Sequence, residues 1–136
     1  MDRVFLDANL LFSAAYASDS GLHQLWSQRE VSLVTSELAL EEARRNLAIH
    51  QPNGLLALAP LLARVTVVPG APARMLTVRI TNLPEADRII LSTAVEAGCT
   101  HFLTGDKRHF GKLYGRRISG VLILTPAQYL RPRQSR

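Results

Sequence analysis

The sequence predicts an α/β fold, a three-layer α/β/α sandwich around a central parallel sheet of about five strands. Two observations predict this class. Short apolar runs alternate with helical stretches along the 136 residues, as in chains that join parallel strands through right-handed helical crossovers. The strand runs are continuously apolar rather than alternating, which is expected when helices cover both faces of a sheet.

Each element has a local signal of its own. Apolar runs predict five strands, at residues 3–7, 31–35, 64–69, 100–105 and 120–125. Helical patterns fill the segments between them, at 9–17, 36–50, 52–63 and 84–98, and Thr125 and Pro126 begin a short last helix. Ser36 is placed to cap one helix, and Pro84 and Gly98 are placed to start and stop another. The stretch 69–83 fits either a further helix or a mobile loop.

The length fits one domain, predicted over residues 1–130 and followed by a basic flexible tail, 131–136. The formal net charge is +5, and because three arginines lie in that tail, the body carries only +2. This charge suits a polyanionic partner as well as a simple solvated tail. The single cysteine excludes an internal disulfide and fits a cytoplasmic location. No apolar run approaches the roughly 20 residues of a membrane-spanning helix, so we expect no membrane association.

Three aspartates and one glutamate fall toward one edge of the predicted sheet. Asp7 directly follows the first strand, and Asp106 directly follows the fourth. Asp87 lies in the first turn of the helix that leads into the fourth strand, and Glu42 lies in the second turn of the helix after the second strand. Ligands of open parallel sheets bind beyond the carboxyl ends of the strands, near the point where strand order reverses. We therefore expect these four side chains to share one cleft.

Glu41 and Glu42 are adjacent, and helical phase separates them. Glu41 belongs to a charged stripe and precedes Arg45 by four residues, a favourable surface pair. Glu42 falls on the other flank of the apolar face of the helix. We therefore expect Glu41 to be solvated and Glu42 to belong to the site.

Four converging carboxylates repel one another, and a hard divalent cation relieves the repulsion. Mg²⁺ and Mn²⁺ prefer oxygen ligands of this kind. Zinc is not expected, because metal-ligand spacing is absent among the four histidines, His23, His50, His101 and His109. The spacing alone also allows four unrelated acids at strand ends and helix starts.

In this order, the motifs resemble the PIN-domain nucleases over nearly the whole chain. "VFLDANLLFSA" is similar to the opening strand of that family, whose metal-binding Asp matches Asp7, with Asn9 as its polar neighbour. "LVTSELALEEARRNL" is similar to the segment carrying the family's Glu, which matches Glu42. "PEADRIILSTAVEAGCTHFLTGDKRHFGKL" is the most specific match and carries the third and fourth acids, Asp87 and Asp106. "GVLILTPAQYL" is similar to the closing strand and helix.

The resemblance implies a metal-dependent endoribonuclease with Mg²⁺ or Mn²⁺ as cofactor. Asp7, Asp87 and Asp106 would bind the ion, and Glu42 would either bind it or orient the attacking water. Many bacterial and archaeal relatives are VapC-like toxins of two-gene toxin–antitoxin pairs. RNA and a small antitoxin protein are therefore the expected partners, with a homodimer as a further expectation.

Each of the other polar residues near the acids can be interpreted either as part of the site or as an ordinary structural residue. Asn9, Thr104, Lys107 and Arg108 are candidate substrate-binding residues. Thr104 is equally well explained as a strand-end hydroxyl, and the two cations as a solvated basic loop. Many relatives carry an adjacent acidic pair where this chain has Glu85-Ala86-Asp87, and Glu85 either assists the site or caps the helix.

Two other functions compete with the nuclease. A catalytically inactive PIN-like chain would be an RNA-binding or protein-interaction module. A phosphotransfer domain would use Asp7 as a phosphorylated nucleophile, but Asn9 stands where that chemistry expects a second Asp. The apolar first helix is either ordinary core or a contact surface, and the residues concerned are Leu10, Leu11, Phe12 and Tyr16.

Overall fold

The computed structural model describes residues 1–17, 21–70 and 82–134. Its strands are β1 (Asp2–Leu6), β2 (Val31–Ser36), β3 (Val65–Val68), β4 (His101–Leu103), β5 (Arg117–Ile118) and β6 (Val121–Leu124). They form one sheet in the order β3-β2-β1-β4-β6-β5. All neighbouring pairs are parallel except β5 and β6, which are antiparallel.

In the described ranges, five α-helices lie between these strands along the chain and a sixth follows the last strand. They are α1 (Ala8–Tyr16), α2 (Glu37–His50), α3 (Gly54–Leu62), α4 (Glu85–Glu96), α5 (Lys107–Phe110) and α6 (Pro126–Gln134), with 3₁₀ helices at Gly21–Ser27 and Gly111–Leu113. The Ser36 side chain caps α2 by accepting a hydrogen bond from the Ala39 amide. Gly98 follows α4 with φ of 74°, the left-handed conformation that commonly ends a helix.

Helices cover both faces of the sheet, so the predicted three-layer α/β/α class is confirmed. Alternate residues of β1 point to opposite faces: Val4 and Leu6 pack with α1, α2, α3 and α6, whereas Phe5 packs with α4 and α5. Phe5 stacks on Phe102 of β4 with ring centroids 5.4 Å apart. Both cores are apolar and fully enclosed, which explains why the central strands are continuously hydrophobic.

Some predicted boundaries and elements need correction. The sheet has six strands rather than about five, because β5 is a two-residue antiparallel edge strand with no readable periodicity. The short helix α5 was also not predicted. Helix α6 runs from Pro126 to Gln134, so the boundary predicted after residue 130 falls inside this helix, in which the buried Tyr129 and Leu130 anchor the preceding turn. The uncertain stretch 69–83 lies mostly outside the described residues, which omit 71–81.

The strand order places a reversal point between β1 and β4. Leu6 at the end of β1 pairs with Leu103 at the end of β4, and the Asp7 amide donates to the Leu103 carbonyl over 3.1 Å. The chain leaves these two adjacent strands toward different helices, which opens a crevice above them. Within the ranges that the structure describes, no helix is both long and apolar enough to cross a membrane.

Candidate active site

A cleft of about 550 Å³ lies at the carboxyl edge of the sheet, above β1 and β4. Four separate segments of the chain contribute a carboxylate to its lining: Asp7, Glu42, Asp87 and Asp106. The structure thus brings together the four acids that the sequence predicted to converge.

Asp7 is the most deeply buried of the four acids, with 3% of its surface exposed. It caps α1, and its Oδ1 accepts a hydrogen bond from the Ala8 amide over 2.9 Å. Its Oδ2 accepts from the Thr104 hydroxyl over 2.8 Å and from the Asn9 side-chain amide over 3.0 Å. Every oxygen of this carboxylate is therefore held in a fixed direction.

Asn9 and Thr104 join the ends of β1 and β4 around that carboxylate. The Asn9 amide also donates to the Thr104 hydroxyl, and its Oδ1 accepts from the Gly105 amide over 2.7 Å. A Cβ at position 105 would lie 3.3 Å from Asn9 Oδ1, so glycine allows this close approach. Thr104 is fully buried and also accepts from the Asp106 amide. The Thr104 hydroxyl is thus hydrogen-bonded to Asp7, to Asn9 and to the loop that carries Asp106.

Glu42 reaches the cleft from α2, and Glu41 does not. Glu42, Asn46 and His50 recur every four residues and line the cleft as one stripe. Glu41 lies on the exposed side, where it pairs with Arg45 at 3.1 Å. Helical phase therefore predicted correctly which of the two glutamates lines the cleft. Asn46 and His50, which line the same cleft, were not predicted.

Asp87 and Asp106 both approach the ring of His109, a residue that was not among the site residues predicted from the sequence. Asp106 caps α5, and its Oδ1 accepts from the His109 amide over 3.2 Å. The His109 ring nitrogen Nδ1 lies 2.6 Å from Asp106 Oδ2 and 3.3 Å from Asp87 Oδ2. Asp106 and His109 are three residues apart, a helical spacing that should have drawn attention to the histidine.

The prediction that no histidine has ligand spacing was therefore wrong for His109. One donor atom from each of Asp87, Asp106 and His109 lies within 4.8 Å of the other two. Among the described residues, this group is the one whose spacing could hold a metal ion, and Asp7 and Glu42 line the same cleft outside it. Carboxylate oxygens with a single imidazole are a suitable donor set for Mn²⁺ and, through the oxygens, for Mg²⁺.

Crowding of acids in a partly dry cleft perturbs their ionisation. Burial raises the pKa of Asp7 from 3.8 to about 6, against the opposing effect of its hydrogen bonds, and Asp87 and Glu42 raise it further. Burial also raises the pKa of Asp87. The neighbouring acids Asp106 and Glu42 act in the same direction, and His109 opposes them. A divalent cation would favour the ionised form of both groups, which is the condition for ligation.

The remaining candidate residues lie at the rim or away from it. Lys107 and Arg108 directly follow Asp106 on α5, and both are exposed. Glu85 is exposed in the first turn of α4 and is not part of the cleft lining. It makes no capping hydrogen bond, because the capping position is Pro84, but its charge is favourably placed for the helix dipole.

An apolar surface adjoins the cleft on the side of α1. Leu10 and Leu11 are core residues, whereas Phe12 is half-buried and Tyr16 is 52% exposed. Phe12 lines the cleft and contacts Tyr16, with ring centroids 5.5 Å apart. Three further large side chains are exposed on the neighbouring helices α2 and α3: Ile49, Leu55 and Leu56.

Solved structures that share this fold include two toxin–antitoxin proteins. The first belongs to VapBC2 from Rickettsia felis, crystallised bound to a DNA fragment from their promoter, and matches with a TM-score of 0.66 at 12% identity over 90% of this chain and 98% of that one. The second is VapC20 from Mycobacterium tuberculosis, a Sarcin-Ricin loop cleaving toxin, with a TM-score of 0.57 at 13% identity over 80% of this chain and 94% of that one. At these identities the likeness is one of fold.

Sequence comparison is informative at the level of the family. Among curated protein sequences, none matches the chain. The family model for the PIN domain matches residues 4–115, a segment that holds most of β1, all of β2 to β4 and all four acids of the cleft. Since this match spans most of the residues, the chain belongs to the PIN-domain family.

Proposed function

We propose that this protein is an endoribonuclease that depends on Mg²⁺ or Mn²⁺, and that it is the toxin of a toxin–antitoxin pair. The observation that carries the proposal is the convergence of four carboxylates, from four separate segments, on one open cleft. Four such groups without a cation would repel one another and resist ionisation. Membership of the PIN-domain family and the VapC-like fold support the same reading.

The residues of the cleft would have different roles in metal binding and in activation of the attacking water. Asp87 on α4 and Asp106 at the start of α5 would supply oxygen ligands, and Asp7 presents a carboxylate whose direction Thr104 and Asn9 fix. A bound divalent ion would polarise the phosphodiester and lower the pKa of an attacking water. Glu42 is half-buried in the lining of the same cleft and would orient that water or accept its proton. Thr104 acts through Asp7 rather than on the substrate, because its buried hydroxyl already has three partners.

The RNA strand would enter from the side of α5. Lys107 and Arg108 are exposed immediately after Asp106, where they would hold backbone phosphates on either side of the scissile bond. Such contacts depend on salt and not on base identity. The cleft therefore selects a polyanion, while recognition of a particular RNA must use further contacts. The description of VapC20 as a Sarcin-Ricin loop cleaving toxin makes structured RNA a substrate to test first.

The proposal that the protein is a toxin with an antitoxin partner is supported by the apolar surface beside the cleft as well as by the fold. Tyr16, Ile49 and Leu56 are 52%, 68% and 80% exposed on three helices, α1, α2 and α3, that pack against one another. Large exposed apolar side chains of this kind commonly mark a protein-binding surface. A small antitoxin bound there could extend into the cleft past Phe12. Purification from the native host should recover such a partner, and repeated recovery as a lone monomer would count against it.

The nuclease is tested by comparing the wild type with Asp7→Ala from identical preparations on the same RNA. We expect cleavage with Mg²⁺ or Mn²⁺, inhibition by EDTA, and loss of activity by about two orders of magnitude or more in the variant. Glu41→Ala is the matched control, since this acid lies outside the cleft and pairs with Arg45. Circular dichroism would show that each variant is folded.

Equal cleavage by the wild type and Asp7→Ala would identify the activity as a contaminant. Metal binding without cleavage of any RNA would favour the alternative of a catalytically inactive binding module. The phosphotransfer alternative is disfavoured by Asn9, which stands where that chemistry expects a second Asp and donates its side-chain amide to Asp7 Oδ2.

A further inference from the structure

His109 occupies a position that the four-acid description of the site leaves unexplained. Its Nδ1 lies between two carboxylates, 2.6 Å from Asp106 Oδ2 and 3.3 Å from Asp87 Oδ2. A surface histidine that only needed a hydrogen-bond partner would be satisfied by one of them. The same ring atom instead lies within reach of acids from two different helices.

These separations match those between neighbouring ligands of one metal ion. Donors at about 2.1 Å from an octahedral ion lie about 3.0 Å apart when adjacent, and donors at about 2.0 Å from a tetrahedral ion lie about 3.3 Å apart. The two measured distances, 2.6 and 3.3 Å, lie on either side of the octahedral value. Since all three donor atoms lie within 4.8 Å of one another, they are close enough to surround one ion.

The fold holds His109 in this place from three directions. Its backbone amide donates to Asp106 Oδ1, so the turn that carries the ring is tied to the same carboxylate that the ring contacts. The next residue, Phe110, is fully buried, and its ring packs against Phe102 of β4 at 5.2 Å. Asp87 approaches from α4, which packs on the same face of the sheet. The ring is thus placed by an anchored turn rather than by a free side chain.

We infer that His109 is a nitrogen ligand of the metal site, and that with Asp87 and Asp106 it makes the site prefer Mn²⁺ to Mg²⁺. This inference rests on the proposed metal-dependent function and adds a ligand to it. Mg²⁺ binds oxygen donors and accepts imidazole poorly, whereas Mn²⁺ and the later transition ions accept it well. A neutral imidazole also completes the donor set without adding a fifth negative charge to the cleft.

The same contacts allow an opposite role, and the two roles predict opposite results. A protonated His109 would be an internal cation that neutralises Asp87 and Asp106 and competes with the metal. Its removal would then leave metal affinity unchanged or raise it. If His109 is a ligand, its removal must lower the affinity for Mn²⁺, because one of three donors is lost.

The test is calorimetric titration of the full chain with Mn²⁺ and, separately, with Mg²⁺. For His109→Ala we expect Mn²⁺ affinity to fall roughly tenfold or more, as even outer-shell changes cost that much, while Mg²⁺ affinity changes by less than about threefold. His50→Gln is the matched control, because His50 lines the same cleft outside the three-donor group. It should bind both ions as the wild type does.

A second measurement detects the bond between Mn²⁺ and the histidine nitrogen directly. Pulsed electron paramagnetic resonance of the Mn²⁺-bound wild type, with ¹⁵N-labelled histidine, should show one directly coordinated nitrogen that His109→Ala lacks. This signal in the wild type keeps the inference testable even if the variant does not fold.

Each outcome has one meaning. Unchanged or tighter Mn²⁺ binding by His109→Ala, or the absence of a nitrogen coupling in the wild type, would overturn the ligand assignment and leave the nuclease proposal standing. Failure of the wild type to bind either ion, or equal binding by Asp106→Asn, would instead contradict the proposed metal dependence. The two failures are therefore distinguishable.

Discussion

Replacing Asp7 with asparagine should change the pH dependence of stability in the metal-free protein. The Asp7 carboxyl is 3% exposed, and burial raises its pKa from 3.8 to about 6. A shift of about two pKa units corresponds to about 3 kcal/mol. Because the folded state holds this proton more tightly than the unfolded state, stability falls as pH rises from about 4 through 6. The full cost of about 3 kcal/mol is present at neutral pH, and about 0.5 kcal/mol of it remains at pH 4.

The asparagine removes this cost but disturbs the hydrogen bonds. Its oxygen can still accept from the Ala8 amide, but its NH₂ group would face two donors, the Thr104 hydroxyl and the Asn9 amide. Each such conflict costs about 1 kcal/mol. The variant should therefore be more stable than the wild type by about 1 kcal/mol at pH 7, and less stable by about 1.5 kcal/mol at pH 4.

Urea unfolding of both proteins between pH 4 and pH 7.5, without added metal, measures the difference in free energy of unfolding. Glu41→Gln is a suitable control, because its carboxylate is exposed and should give a difference that varies little with pH. The sign of the difference at either pH depends on the hydrogen bonds that asparagine disturbs, but its change between the two pH values depends only on the raised pKa of Asp7. A difference that stays the same from pH 4 to pH 7 would refute the reasoning.

Three further predictions concern the site and its scaffold. Glu42→Gln should lower RNA cleavage by about a hundredfold, whereas Glu41→Gln should lower it by less than about twofold, because of these two acids only Glu42 lines the cleft. Equal effects of the two variants in a cleavage assay would contradict the placement of Glu42 in the active site. Mn²⁺ should raise the melting temperature of the wild type more than that of Asp106→Asn, since a ligand stabilises the state that binds it, and equal shifts in a thermal scan would contradict this. Ser36→Ala should cost about 1 kcal/mol in urea unfolding through loss of the α2 cap, whereas an unchanged midpoint would show that water replaces the cap.

The placement of Glu41 and Glu42 shows what local pattern can predict. Helical phase depends only on the spacing of residues in one segment, so the exposed pair of Glu41 with Arg45 follows from the sequence. The same reasoning placed Asp7 and Asp106 at strand ends, because an apolar run followed by a single acid marks the end of a buried strand. In the structure Asp7 directly follows β1, whereas β4 ends at Leu103 and Asp106 caps α5 three residues later. The features that agree lie within one element or at its boundary.

His109 and β5 show where local pattern fails. His109 has no unusual neighbours in sequence beyond Asp106, and its significance depends on Asp87, which lies 22 residues earlier on α4. The two-residue strand β5 forms only because β6 offers it an edge. Such features exist only after distant segments have packed, so no window of sequence contains their cause.

The sequence by itself determined most of the segments that form strands and helices, and the placement of the acids near their ends, because side-chain periodicity and capping act over a few residues. The tertiary structure alone decided that Thr104 and Asn9 enclose the Asp7 carboxylate and that His109 lies between Asp87 and Asp106. It also decided how strongly burial raises the pKa of Asp7. Hydrogen bonding, desolvation and metal-ligand geometry depend on distances through space, and only the folded chain sets those distances.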